Sequence, residues 1–216
     1  IIYCYESLKD IDGAITYMNE FLNRDPYNEV AWHQLGRQYS IKNMFEEAVT
    51  AFEFAIISDD TFTGAYLELG KALEKLGRYN EAINYYEITL GIDDPSAFAL
   101  LKIGVCHLKL GNEDLGVNFL KKSIHQDPLL DKGWLALCEY YMRNKSYAKA
   151  LQYIKKAVKI DSGHETYWRL YAQANKALGF FDEANLAHEH LVNLGNYELQ
   201  TWLDSVSYTH LTLPTR

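Results

Sequence analysis

Residues 32–52 read WHQLGRQYSIKNMFEEAVTAF. The second half of this stretch sets Phe45, Ala48, Val49 and Phe52, with Ile56 just beyond, at intervals of three and four. That spacing makes one apolar stripe along a helix. Trp32, Leu35, Gly36 and Tyr39 make a second stripe before it. Asn43 stands between the two, in a place that Gly77, Gly111 and Gly179 take further along and Lys145 takes once. Glycine readily adopts the left-handed conformation that ends a helix, so these five positions are read as helix C-caps. A small residue at Gly36 lets two helices of one hairpin approach closely, and Trp32 is expected to fill the gap between them.

The stretch recurs. Trp32, Tyr66, Leu100, Trp134, Trp168 and Trp202 follow one another at 34-residue steps. Leu35, Leu69, Ile103, Leu137 and Tyr171 hold the same step, and beside them Gly36, Gly70, Gly104, Cys138 and Ala172 are all small. Ala48, Ala82, Gly116, Ala150 and Ala184 continue the register, Ala14 extends it backwards, and Phe52, Tyr86, Leu120, Ile154 and His188 lie four residues after each. Asp25, Asp59, Asp93, Asp127 and Asp161 close the units. No insertion or deletion breaks the count. A single hairpin cannot bury both of its apolar faces, so successive units must cover one another in a stack.

The pattern Trp32-x-x-Leu35-Gly36-x-x-Tyr39, then Ala48-x-x-x-Phe52, resembles the tetratricopeptide repeat. The resemblance runs from residue 1 to about 204. It implies an all-α fold, a right-handed α-solenoid of antiparallel helix pairs. Repeats are expected at 29–62, 63–96, 97–130, 131–164 and 165–198. The end of an earlier repeat is expected at 1–28 and the start of another at 199–204. The third repeat departs at Gly116 and at Glu113, where Phe45, Tyr79, Tyr147 and Phe181 open the second helix elsewhere; the fifth departs at His188. Ile1 begins in mid-pattern, with Tyr5 and Ala14 already in register, so a piece of a longer array is expected. Residues 205–216 abandon the pattern and resemble a translated sequencing adapter, an artefactual or disordered tail outside the fold.

Composition and motifs exclude several classes. A formal charge of −8 argues against general nucleic-acid binding. No run of eighteen apolar residues is long enough to span a membrane. Cys4, Cys106 and Cys138 are odd in number and lack a metal or disulfide spacing, which suggests reduced thiols and a cytoplasmic location. His188 and His190 sit two apart on a helix and point in different directions, so they do not share a metal. The five aspartates belong to different repeats and read as turn formers rather than a chelating ladder. Neither a phosphate-binding glycine loop nor a G-x-S-x-G elbow is present. The reading is therefore of a protein that is not an enzyme and needs no cofactor or metal.

The resemblance also implies a concave groove lined by the first helix of each repeat. Its positions include Val30, His33, Gln34 and Arg37; Leu67, Glu68, Lys71 and Glu74; and Phe98, Leu101, Lys102 and Lys109. Further along they include Lys132, Leu135, Met142 and Arg169. The thirty positions carry nine Lys or Arg and three Glu, a net of +6, which leaves −14 for the rest of a chain at −8. Segregated charge of this kind favours an acidic, extended peptide. Arg37, Leu67, Lys71, Phe98, Leu101, Lys102, Lys109, Lys132, Leu135 and Arg169 are the expected contact residues. Asparagine is absent from all thirty positions, so the carboxylate clamp known in the family is not met; nor is the asparagine ladder of its glycosyltransferase-linked arrays. The expected function is an interaction scaffold for a partner protein or peptide. The alternative is a substrate-recruiting arm of a larger enzyme or signalling protein, and self-association through truncated ends is a third outcome.

Overall fold

A computed structural model describes residues 10–92 and 96–194. Cys4, Tyr5, Asp93, Trp202, the expected repeat start at 199–204 and the expected tail at 205–216 lie outside the described residues. The fold is all-α: eleven helices, and no strand, occur among the described residues. In chain order they are α1 (Ile11–Leu22), α2 (Glu29–Ile41), α3 (Phe45–Ser58), α4 (Thr63–Lys75), α5 (Tyr79–Ile92), α6 (Ala97–Lys109) and α7 (Glu113–Gln126). Then come α8 (Asp131–Arg143), α9 (Tyr147–Ile160), α10 (Glu165–Ala177) and α11 (Phe181–Asn193). The chain divides into two compact units, residues 1–126 and 127–216. In the first, each helix from α1 to α7 packs on the next, and α2 also touches α4. In the second, α8 packs on α9, α9 on α10 and α10 on α11. Stacked helix pairs of this kind are the α-solenoid arrangement. None of the described helices is long and apolar enough to cross a membrane.

Every helix pair turns the same way. Asn43, Gly77, Gly111, Lys145 and Gly179 all have positive φ, between 55° and 81°. In each case the next residue's N–H reaches back five residues: Met44 to the Tyr39 carbonyl, Arg78 to Leu73, Asn112 to His107, Ser146 to Tyr141 and Phe180 to Asn175. Together with the shorter bond from the left-handed residue itself, this is the Schellman closure, and it satisfies carbonyls that the helix end would leave unpaired. Lys145 and Asn43 adopt this conformation despite carrying a Cβ.

The distance between the two helices of a pair is set by missing side chains. A Cβ placed on Gly36 would lie 2.6 Å from the Phe52 ring, and one on Gly70 would lie 2.5 Å from Tyr86. The third pair meets glycine to glycine: a Cβ on Gly104 would stand 3.0 Å from the Gly116 carbonyl, and one on Gly116 would stand 2.9 Å from that of Gly104. Gly116 is thus a fitted departure from the alanine of the other repeats, with Leu108 and Leu120 packed around it. Phe52, Tyr86, Leu120 and Ile154 are all fully buried at the position opposite the small residue.

That second-helix residue fills the gap facing the small slot, and the tryptophans fill it beside that level: Trp32 stacks on Phe54, Trp134 lies against Tyr153 and Trp168 stacks on His190, each across the two helices of its pair. Trp32, Trp134 and Trp168 are half-buried, and each indole N–H donates to a carbonyl six residues earlier: Pro26 at 2.8 Å, Pro128 at 2.9 Å and Ser162 at 2.8 Å. Those carbonyls each belong to the residue after a ladder aspartate. Asp127 and Asp161 accept backbone N–H bonds two residues on, from Leu129 and Gly163, both at 2.9 Å. Asp59 accepts from both the N–H and the hydroxyl of Thr61, which holds its carboxyl below the ordinary range. The aspartates described are turn formers. Cys106 and Cys138 are free and fully buried, and burial pushes each thiol up to about 12.

Two substitutions test this account by urea unfolding. Gly70→Ala drives a methyl into the Tyr86 ring and is expected to lower stability by about 1–3 kcal/mol. Lys145→Gly removes left-handed strain at an exposed turn and is expected to raise it by about 1 kcal/mol.

Candidate binding surface

Within residues 1–126, three first helices (α2, α4 and α6) supply the expected groove positions. Their caps and apolar stripes fix which side chains remain outside the core. On α4, Ala65, Leu69, Ala72 and Leu73 are buried, which leaves Leu67, Glu68, Lys71 and Glu74 only partly covered. On α6, Ala99, Leu100, Ile103 and Cys106 are buried, and Phe98, Lys102 and Val105 stay half-exposed.

These leftovers converge. Lys71 Nζ lies 5.2 Å and Lys102 Nζ 5.7 Å from the centre of the Phe98 ring. The negative face of an aromatic ring attracts such cations by about 0.5–1 kcal/mol at exposed sites. Each ammonium also has a carboxylate: Lys71 pairs with Glu68 at 2.7 Å, and Lys102 with Glu74 at 3.1 Å. The Lys102–Glu74 pair is the more sheltered, its side chains 23% and 16% exposed. Glu74 also accepts a hydrogen bond from the Tyr86 hydroxyl. Burial, then the nearby Glu74 charge, raises Tyr86 far above the usual phenol range, so it stays a donor.

The expected contact residues thus divide. Lys71, Phe98 and Lys102 form one cluster from two neighbouring repeats. Leu67 is half-buried against the core beneath it. Lys109 is exposed at the end of α6. Leu101 is 5% exposed, so it shapes the floor from below and offers no open pocket. Arg37 is exposed, and its guanidinium makes a long contact of 3.5 Å to the Gln34 side-chain oxygen. Its charge, with that of Lys71, reaches His33, whose pKa is lowered chiefly by burial, against the opposing pull of Glu68. The His33 ring packs between Phe52 and Phe62, at 5.7 and 5.0 Å between ring centres. Two of the lysines counted as basic groove charge are therefore already neutralised by glutamates of the same helix row.

A cavity of about 260 Å³ lies elsewhere on this unit, between α1 and α2. Tyr17, Met18, Phe21, Val30 and Ala31 wall it, with Asn28 and Gln34 at its polar rim. Val30 and Gln34 are groove positions; the residues from α1 were not anticipated. A signal existed. Phe21 occupies the slot that holds Ala55, Thr89, Ser123 and Ala157 in the next four repeats and Leu191 in the last. Glu74 and Tyr86 were read as a groove charge and a core ring, and their hydrogen bond is invisible without the packing.

In residues 127–216, Lys132 is exposed on α8, Leu135 is half-buried against its unit's core, and Arg169 on α10 forms an ion pair with Glu165 one turn earlier. Tyr167 donates to Asp131, a contact between first helices of adjacent repeats that parallels Tyr86 with Glu74 in kind. His190 stacks on Trp168, ring centres 4.2 Å apart. Among the described residues no three His, Cys, Asp or Glu side chains gather within reach of one metal ion.

Models described as tetratricopeptide repeat match residues 131–174, residues 3–28 and 63–92, and residues 98–129. No curated protein matches the chain. Among solved structures, PilW, a widely conserved type IV pilus biogenesis factor, is similar with a TM-score of 0.79 at 24% identity over 94% of each chain. PilF of Pseudomonas aeruginosa gives 0.70 at 18% identity, over 83% of this chain and 81% of that one. YrrB, a TPR protein with an unusual peptide-binding site, gives 0.59 at 13% identity, over 87% and 96%. Identities this low establish the shared fold and nothing finer.

Replacing Tyr86 by Phe keeps the ring against Gly70 and deletes only the bond to Glu74. Hydrogen bonds to charged groups contribute about 1.5–3 kcal/mol, so Tyr86→Phe is expected to lower unfolding free energy by that order in urea titrations.

Proposed function

We propose that this chain, which belongs to the tetratricopeptide repeat family, is a non-catalytic scaffold that holds an acidic, extended segment of a partner protein along its first helices. The observation that carries this reading is the convergence of Lys71, Phe98 and Lys102 from adjacent repeats, with exposed Arg37 on the helix before them. An extended peptide crossing these helices meets cationic groups, an aromatic face and the half-buried Leu67 in turn. YrrB is described as having a peptide-binding site on the same fold, which supports binding of this class.

Glu68 and Glu74 give the reading its sharpest consequence. They are internal carboxylates that occupy the lysines until a ligand carboxylate arrives. A partner must compete with them, and exposed pairs such as Lys71–Glu68 hold together by only about 0–1 kcal/mol. Lys71 is thus readily available to a ligand, whereas Lys102 is held by Glu74, which Tyr86 braces.

Fluorescence anisotropy with acidic, neutral and basic peptide pools tests the proposal. Acidic peptides are expected to bind, with affinity falling as salt rises. Arg37→Glu should weaken that binding about tenfold. Glu68→Gln, by freeing Lys71, should strengthen it several-fold. Preference for basic peptides, or affinity indifferent to both salt and Arg37→Glu, overturns the acidic-ligand reading.

A further inference from the structure

We infer that the segment bound by residues 1–126 is anchored by one bulky apolar side chain in the cavity between α1 and α2, its acidic residues lying at a fixed distance against Arg37, Lys71 and Lys102. This rests on the scaffold reading above and specifies its ligand: a peptide that combines a large aliphatic or aromatic residue with carboxylates.

The cavity's size and walls select the anchor. At about 260 Å³ it falls below the roughly 300–1,000 Å³ of sites for drug-sized ligands, so it suits a side chain. Tyr17, Met18, Phe21, Val30 and Ala31 are five of the seven described residues that line it, and Val30 is 51% exposed. Covering that apolar surface is favourable in proportion to its area. The rim asks for little in return. Asn28 already accepts from the Ala31 N–H at 2.9 Å and donates to Asp25 at 3.0 Å, so neither end of its amide requires a polar ligand.

Continuity with the charged cluster sets the rest. Gln34 at the rim faces Arg37 one turn further along α2. Among the described residues, no ion pair involves Arg37. Lys71 follows on α4 and Lys102 on α6. α2 touches α4, and the Lys102–Glu74 ion pair and the shared Phe98 ring hold α6 beside α4. An extended chain advances about 3.3 Å per residue, so a carboxylate several residues from the anchor reaches Lys71 and one further along reaches Lys102. The cavity supplies the register that a row of lysines lacks.

The test uses the full chain and labelled glycine–serine peptides carrying one phenylalanine and two aspartates at a series of spacings from it, in both chain directions. One direction is expected to bind. Replacing the phenylalanine by alanine should weaken it about tenfold or more, the scale set by burying one aromatic side chain. Val30→Ser, at an exposed position and without added charge, should reproduce part of that loss and leave the phenylalanine-free peptide unaffected. Gln34→Trp, which crowds the cavity mouth, should act like Val30→Ser. If acidic peptides bind equally well with and without phenylalanine, and Arg37→Glu still weakens them, the anchor is overturned while the scaffold reading stands. If no acidic peptide binds in either form, both fall.

Discussion

Much of residues 1–126 depends on side chains that are absent. Gly36, Gly70 and the pair Gly104–Gly116 allow two helices to meet at a distance at which even one methyl group would overlap a ring or a carbonyl. Interiors pack near crystalline density, so such a contact admits few compromises. Close approach brings Phe52, Tyr86 and Leu120 fully out of water against the opposite backbone. It also fixes the rotation of each first helix, because the glycine must face inward. Once that face is set, the opposite one is set too. Lys71 stands one residue after Gly70 and Glu74 one turn beyond it, and their places on the surface follow from the glycine's place in the core.

Tyr86 ties the two levels together. Its ring covers Gly70, and its hydroxyl reaches Glu74 on the same first helix. Glu74 in turn holds Lys102 from the next repeat. The equivalent positions hold Phe52, Leu120, Ile154 and His188, none of which carries a phenol. This repeat links its hairpin core to a charge on its neighbour through that slot. The link also makes the two lysines beside Phe98 unequal. Lys102 is braced through a sheltered carboxylate, whereas Lys71 rests in a looser pair on the surface.

The period made the helices and their turns legible before any coordinates. Even Asn43 and Lys145 could be placed at left-handed turns, because their register matched that of three glycines. The side chain opposite the small slot was harder to assign. Tryptophan is the larger residue and the more regular marker, and it does pack across the hairpin against Phe54, Tyr153 or His190, yet the place facing the small slot belongs to Phe52 and its counterparts on the second helix. The candidate surface was legible as a set of positions and illegible as a set of contacts. Composition counts Lys71 and Lys102 as positive charge. Only packing reveals that Glu68 and Glu74 lie against them, and that Leu101 faces the interior. The cavity escaped notice because Phe21 stands where the next four repeats have Ala55, Thr89, Ser123 and Ala157, and averaging over repeats discards such a difference.

The tryptophans show how a repeat period can encode one local bond as well as bulk. Each of Trp32, Trp134 and Trp168 joins the first turn of a helix to the loop before it, by donating to the carbonyl next to a ladder aspartate. For Asp127 and Asp161 that aspartate meanwhile accepts an N–H two residues on. Aspartate and tryptophan thus fasten the loop between repeats from both sides, one by accepting and the other by donating. Tyr66 and Leu100 keep a large side chain in the slot and lack the indole N–H, so neither can donate this bond. Asp59, in the loop before Tyr66, takes two bonds from Thr61 where Asp127 and Asp161 are each recorded with one. The extra bond to the Thr61 hydroxyl comes from within the loop itself, in the repeat where the following helix has no indole to offer.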